Sequence, residues 1–140
     1  MVLVETLLTH ADHDDGEGHV GHMFALVLFG SILENEIGTK KFLSLFFLAG
    51  LFASIASIPF YNAVLGASGA IFGVIGALAV LKPKMTVWVY GMPMPMIIAS
   101  LVWAAIDVLG VFIPSNVANI AHLSGIFVGI IFGFIIRIKR

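Results

Sequence analysis

After a polar stretch over residues 1–19, the chain becomes five apolar runs, roughly 20–38, 42–59, 65–81, 86–113 and 117–136. A helix needs ~20 apolar residues to cross the hydrocarbon core of a bilayer, and ~17 can suffice. Each run therefore predicts a membrane-crossing helix, the third near the short limit. The fourth is interrupted by "GMPMP" at 91–95. Proline suits a helix start and not its interior, so the helix proper is expected to begin near Met94. The pattern predicts an all-α membrane protein, a polytopic bundle with five transmembrane helices in this chain.

Composition agrees with the pattern, because 60% of the 140 residues are hydrophobic and only 11% are charged, against about a quarter charged in soluble domains. Cysteine is absent, which removes disulfide frameworks, thiolate metal sites and cysteine nucleophiles. Charge adds an orientation. All seven basic residues follow the first, third or fifth run: Lys40 and Lys41, Lys82 and Lys84, then Arg137, Lys139 and Arg140. An alternating chain puts these three places on one side, which the positive-inside rule makes cytoplasmic. The C-terminus is then cytoplasmic, and residues 1–19 form an acidic, histidine-containing extracytoplasmic segment ahead of one transmembrane domain, 20–140. No nucleic-acid partner is expected of such a chain; the bilayer is its surrounding.

Polar groups inside spans are expensive and usually have a partner or a task. Ser68 opens the third run in "GASGAIFGVIG" (66–76), His122 opens the fifth in "NIAHLSGIFVG" (119–129), and Asp107 lies inside the fourth. Gly66 and Gly69 leave the Ser68 hydroxyl and N–H accessible, while Gly73 and Gly76 continue a groove at near-helical spacing. Below His122, Gly125, Gly129 and Gly133 recur at +3, +7 and +11, a small-residue stripe on which a second helix can pack closely. Topology puts Ser68 and His122 near the outer ends of their spans, at similar depth. A serine hydroxyl becomes a nucleophile when a neighbouring base takes its proton, and histidine, whose ordinary pKa is near ~6.5, is the usual base. No acid stands close by in sequence, so a Ser–His dyad is expected and Asp107 is given a structural role. The Ser68 N–H at a helix start, with His22 or His19 from the first run's mouth, is the expected oxyanion donor set.

These residues resemble the rhomboid intramembrane serine proteases, over most of the chain from about His19 onward. "GASGAIFG" (66–73) is similar to the family's Gly-x-Ser-Gly motif, with Gly66, Ala67, Ser68 and Gly69 in place. "NIAHLSGIFVG" resembles the motif that carries the catalytic histidine, with Asn119 ahead of His122 and Gly125 and Gly129 after it. "FGSILENEIG" (29–38) resembles the Gly-x3-Glu-x3-Gly signature through Gly30, Glu34 and Gly38. The resemblance implies cleavage of peptide bonds in or near a substrate's transmembrane segment through an acyl-enzyme on Ser68, with no cofactor and no metal. It also implies that Phe72, one turn past Ser68, faces the histidine ring. The family core has six helices; the first is absent from this chain and is expected ahead of the acidic segment. At the family's His-x3-Asn pair, which helps hold the oxyanion, this chain carries Gly18 and His22.

Two other readings compete. A rhomboid-like pseudoprotease would keep the fold and bind membrane helices without cutting them. Alternatively, "HADHDDGEGHVGH" (10–22) pairs His10 with His13 and His19 with His22 among Asp12, Asp14 and Asp15, ligand types that suit a divalent ion. The spans, however, hold one carboxylate expected to be buried, Asp107, and no chain of ligands for an ion path.

Overall fold

The computed structural model describes residues 23–60, 67–113 and 118–140. They form five helical elements and one short hairpin. The first helix, α1 (23–37), contains a π-helical stretch, Leu26–Gly30, and continues as Ser31–Ile37. Gly38 ends it at φ 84°, a left-handed value that glycine adopts without a Cβ penalty, and its N–H donates to the Glu34 carbonyl at 2.7 Å. The chain turns there directly into α2 (Thr39–Ser57). The remaining helices are α3 (Ala67–Leu81), α4 (Met96–Val111) and α5 (Asn119–Ile138).

Between α3 and α4 the fourth apolar run is not one helix. Thr86–Val89 (β1) and Met92–Pro95 (β2) pair antiparallel, with Val89 opposite Met92. Tyr90 at φ 50° and Gly91 at φ 78° make the two-residue turn that suits a tight hairpin. The helix starts at Met96, two residues after the expected Met94, because Pro93 and Pro95 are accommodated in an edge strand. The described residues are mostly helical, as expected, and this hairpin is a local departure from an all-α chain. Two helices, α2 and α5, are long and apolar enough to cross a membrane, while α3 and α4 are shorter apolar helices of 15 and 16 residues.

Small residues set the packing. Helix α3 is buried along nearly its whole length and lies between α2 and α5. On α2, Leu45, Ala49, Ala53 and Ser57 form a buried stripe at four-residue spacing. Ala53 meets Gly69 and Ala49 meets Gly73, so α2 and α3 run antiparallel. Gly125 lies on the Gly69 carbonyl and Gly129 on that of Gly73, so α3 and α5 run parallel with backbones in contact. In a bilayer, where lipid is as apolar as leucine, close packing of this kind is what holds helices together. Large apolar side chains such as Phe47, Leu51, Leu101 and Phe134 point outward.

The end of the molecule opposite Ser68 is tied by charge. Glu36 accepts from Lys82 at 2.9 Å and from Arg140 at 2.6 Å, joining the ends of α1, α3 and α5. A local pairing of Glu36 with Lys40 or Lys41 is the simpler expectation from sequence; the partners instead come from 46 and 104 positions away.

Candidate active site

Ser68 is the second residue of α3 and is 7% exposed. Ala67, before it, is exposed and opens the helix. His122 sits in the first turn of α5, its N–H donating to the Ala118 carbonyl at 3.2 Å. Because α3 and α5 are parallel and cross with Gly125 on Gly69, these two residues belong to the same end of the bundle. A Cβ on Gly69 would overlap the Ala53 Cβ of α2 and lie 3.2 Å from the carbonyl oxygen of Ala121, the neighbour of His122, so a larger residue beside Ser68 would push on both flanking helices.

Two contacts fix the imidazole. Phe72, one turn below Ser68 on α3, stacks on the His122 ring with centroids 4.0 Å apart and planes 8° from parallel. Along the ring's edge, His122 Nδ1 lies 3.0 Å from Asp107 Oδ1 of α4. Both side chains are largely shielded, His122 12% and Asp107 7% exposed. Sequence spacing does not mark Asp107 as a histidine partner, since the two stand 15 positions apart. The register of α4 against α5 brings them together, and Gly110 helps set it. Asn119, buried at the start of α5, packs on Gly110, where a Cβ would be 2.7 Å from its amide atoms. Asp107 and Gly110 thus share one face of α4, and His122 and Asn119 the facing side of α5.

His19, His22 and Gly66 lie outside the described residues, as do His10 and His13. Among the described residues no group of three or more metal-ligating side chains occurs.

The arrangement holds a buried serine at a helix start and, at the same end of an adjoining helix, a histidine clamped on its face and its edge. The sequence as a whole identifies the setting, because residues 6–139 match the family model of the Rhomboid domain. The chain belongs to the rhomboid family. It is similar to RHOMBOID-like protein 1 of Arabidopsis thaliana, 34% identical over 128 residues, covering 89% of this chain and 32% of that protein. Rhomboid protease GlpG of Haemophilus influenzae is 30% identical over 112 residues, 77% of this chain and 56% of that protein. Rhomboid protease GluP of Bacillus subtilis is 36% identical over 110 residues, 75% of this chain and 20% of that one. No solved structure matches the chain significantly. This rhomboid sequence spans about a third of the length of the first curated relatives it matches. Rhomboids are membrane proteins, with mitochondrial and bacterial members.

Proposed function

We propose that this rhomboid is an intramembrane serine protease that cleaves transmembrane protein substrates in or near their spans, with Ser68 as nucleophile and His122 as base. The observation that carries the reading is the pairing of ends: the helix that opens on Ser68 packs, glycine on glycine, against the helix that opens on a His122 already fixed by Phe72 and Asp107. An oriented base beside a hydroxyl is what nucleophilic catalysis requires. The family membership, with relatives named proteases, points the same way.

In the first half-reaction the Ser68 oxygen attacks the substrate carbonyl carbon as His122 takes the hydroxyl proton. The tetrahedral oxyanion sits at the N-terminus of α3, where the helix dipole and the Ser68 N–H favour negative charge. His22 and His19 are the proposed side-chain donors. Collapse breaks the C–N bond, and His122 returns its proton to the leaving amine. Water then attacks the acyl-enzyme, His122 takes the water proton and passes it to the Ser68 oxygen, and the new carboxyl end leaves. The proposed topology opens the site to the extracytoplasmic face, which supplies that water. The domain division, 1–19 outside and 20–140 in the membrane, belongs to the same proposal, as does the cytoplasmic C-terminus.

One observation favours a second reading, a pseudoprotease that binds membrane helices without cutting them: Gly18 and His22 stand at the family's His-x3-Asn positions. Loss of one oxyanion donor costs about 10²–10³ in rate. A cleavage assay separates the two. The chain is reconstituted in lipid vesicles with tagged single-span proteins, and products are mapped by mass spectrometry. Cleavage in or beside the span, absent in Ser68→Ala and unaffected by a chelator, supports the protease. Intact substrate that still co-purifies with the folded chain supports the pseudoprotease.

A further inference from the structure

Asp107 is the one acid buried among the described helices, and the dyad chemistry leaves it without work. An ionised carboxylate inside a membrane helix is costly and is retained where it is paired or functional. Its partner here is the ring nitrogen of the candidate base, 3.0 Å away. This inference rests on the protease reading of Ser68 and His122. We infer that Asp107 is a positioning residue that completes a Ser68–His122–Asp107 triad across three helices, holding His122 in the tautomer and orientation in which Nε2 faces the serine.

The chemistry follows from what each group can donate. A neutral imidazole has one N–H, and an ionised carboxylate accepts only. The bond between them therefore requires the proton on Nδ1, donating to Asp107 Oδ1. Nε2 is then left with its lone pair, the form a general base needs. When Nε2 takes the Ser68 proton the ring becomes a cation, and the carboxylate lies against it in a site of low dielectric where such attraction is strong. Asp107 keeps its charge throughout and no proton moves to it. Phe72 restrains the ring's face, but a stacked ring can still turn over and exchange its nitrogens. The edge contact with Asp107 distinguishes one nitrogen from the other. Gly110 is part of the device: its missing side chain admits Asn119 and allows α4 to lie close enough for Asp107 to reach.

The test uses the full chain in lipid nanodiscs and two readouts. The first is the rate of covalent labelling of Ser68 by a fluorophosphonate probe, for wild type, Asp107→Asn and Asp107→Glu. The second is nitrogen-15 NMR of histidine-labelled protein, with the His122 signals assigned by His122→Ala. In soluble triads, Asp-to-Asn change costs about 10⁴ in kcat by stabilising the wrong tautomer. Labelling of Asp107→Asn is expected to fall by about 10²–10⁴-fold, with partial recovery in Asp107→Glu, and wild-type His122 should carry its proton on Nδ1. A folded Asp107→Asn that labels within threefold of wild type and keeps the wild-type tautomer overturns the inference. A wild-type His122 protonated on Nε2 overturns it without any variant, should Asp107→Asn fail to fold. Where wild type itself does not label, the protease reading fails, and the His122 tautomer with and without Asp107 still decides the positioning claim.

Discussion

Gly125→Ala tests the packing that brings the two site helices together. Gly125 lies three residues after His122, and it faces Gly69, the residue after Ser68. A methyl group added there would sit 2.9 Å from the Gly69 carbonyl carbon and 3.2 Å from its Cα, and would overlap the carbonyl oxygen. Ordinary Cβ contacts begin at 3.4 Å, so the carbonyl carbon alone requires the backbones to part by about half an ångström, and the oxygen requires more. The obstructing atoms are main chain in the first turn of a helix, which cannot rotate aside as a side chain would. Overpacking costs typically ~1–3 kcal/mol, and this site should fall at the upper end, about 3 kcal/mol. Gly133→Ala is the graded control. Its Cβ would meet Val80 Cβ at 3.0 Å and the Ala77 oxygen at 3.2 Å, an overlap relieved by a smaller shift, for which about 1 kcal/mol is expected. Stability is read as the loss of helical circular dichroism on titration of SDS into mixed micelles. A displacement of about 1 Å at a reacting centre costs about 10²-fold in rate, so fluorophosphonate labelling of Gly125→Ala should fall by that order and that of Gly133→Ala by less. If Gly125→Ala is as stable as wild type and labels at the wild-type rate, the close approach of α3 and α5 described here is wrong.

Other variants probe separate parts of the structure. Phe72→Leu removes the stack on His122, and since aromatic pairing is worth ~0.5–1.5 kcal/mol, labelling should drop by about threefold to tenfold while Phe72→Tyr stays near wild type. Glu36→Gln removes the charge that pairs with Lys82 and Arg140 while leaving the Arg140 bond to the Glu36 main-chain carbonyl; partly exposed pairs contribute ~0.2–1 kcal/mol each, so the SDS midpoint should fall slightly at low salt, less at high salt, with labelling unchanged. Ser57 is fully buried and its hydroxyl has no hydrogen-bond partner among the described residues. Ser57→Ala should therefore be neutral or stabilising by up to ~1 kcal/mol in the same titration, and a clear loss of stability would show that the hydroxyl is used.

What the sequence made legible depended on the range of the signal. Ser68 and His122 stand out because glycines recur beneath each at helical spacing, a local pattern that also indicates which helices approach. Glu36 shows the opposite case, since its cationic partners come from the ends of α3 and α5 and no local spacing points to them. Asp107 was likewise hidden: its contact with His122 depends on the register of two antiparallel helices, and Gly110 becomes meaningful only once Asn119 is seen against it. The hairpin carried a local signal that hydrophobicity masked. Thr86, Val87, Trp88 and Val89 are strand formers followed by Tyr90-Gly91, but apolar strand and apolar span look alike until the turn is weighed.

Activation of Ser68 as a nucleophile by His122 is measured by treating the folded chain in nanodiscs with a fluorophosphonate and locating the adduct by mass spectrometry. A single adduct on Ser68 is expected, lost in Ser68→Ala and in His122→Ala while both variants keep their helical content. Folded wild-type protein that stays unmodified, or a Ser68 adduct formed equally fast in His122→Ala, would contradict it.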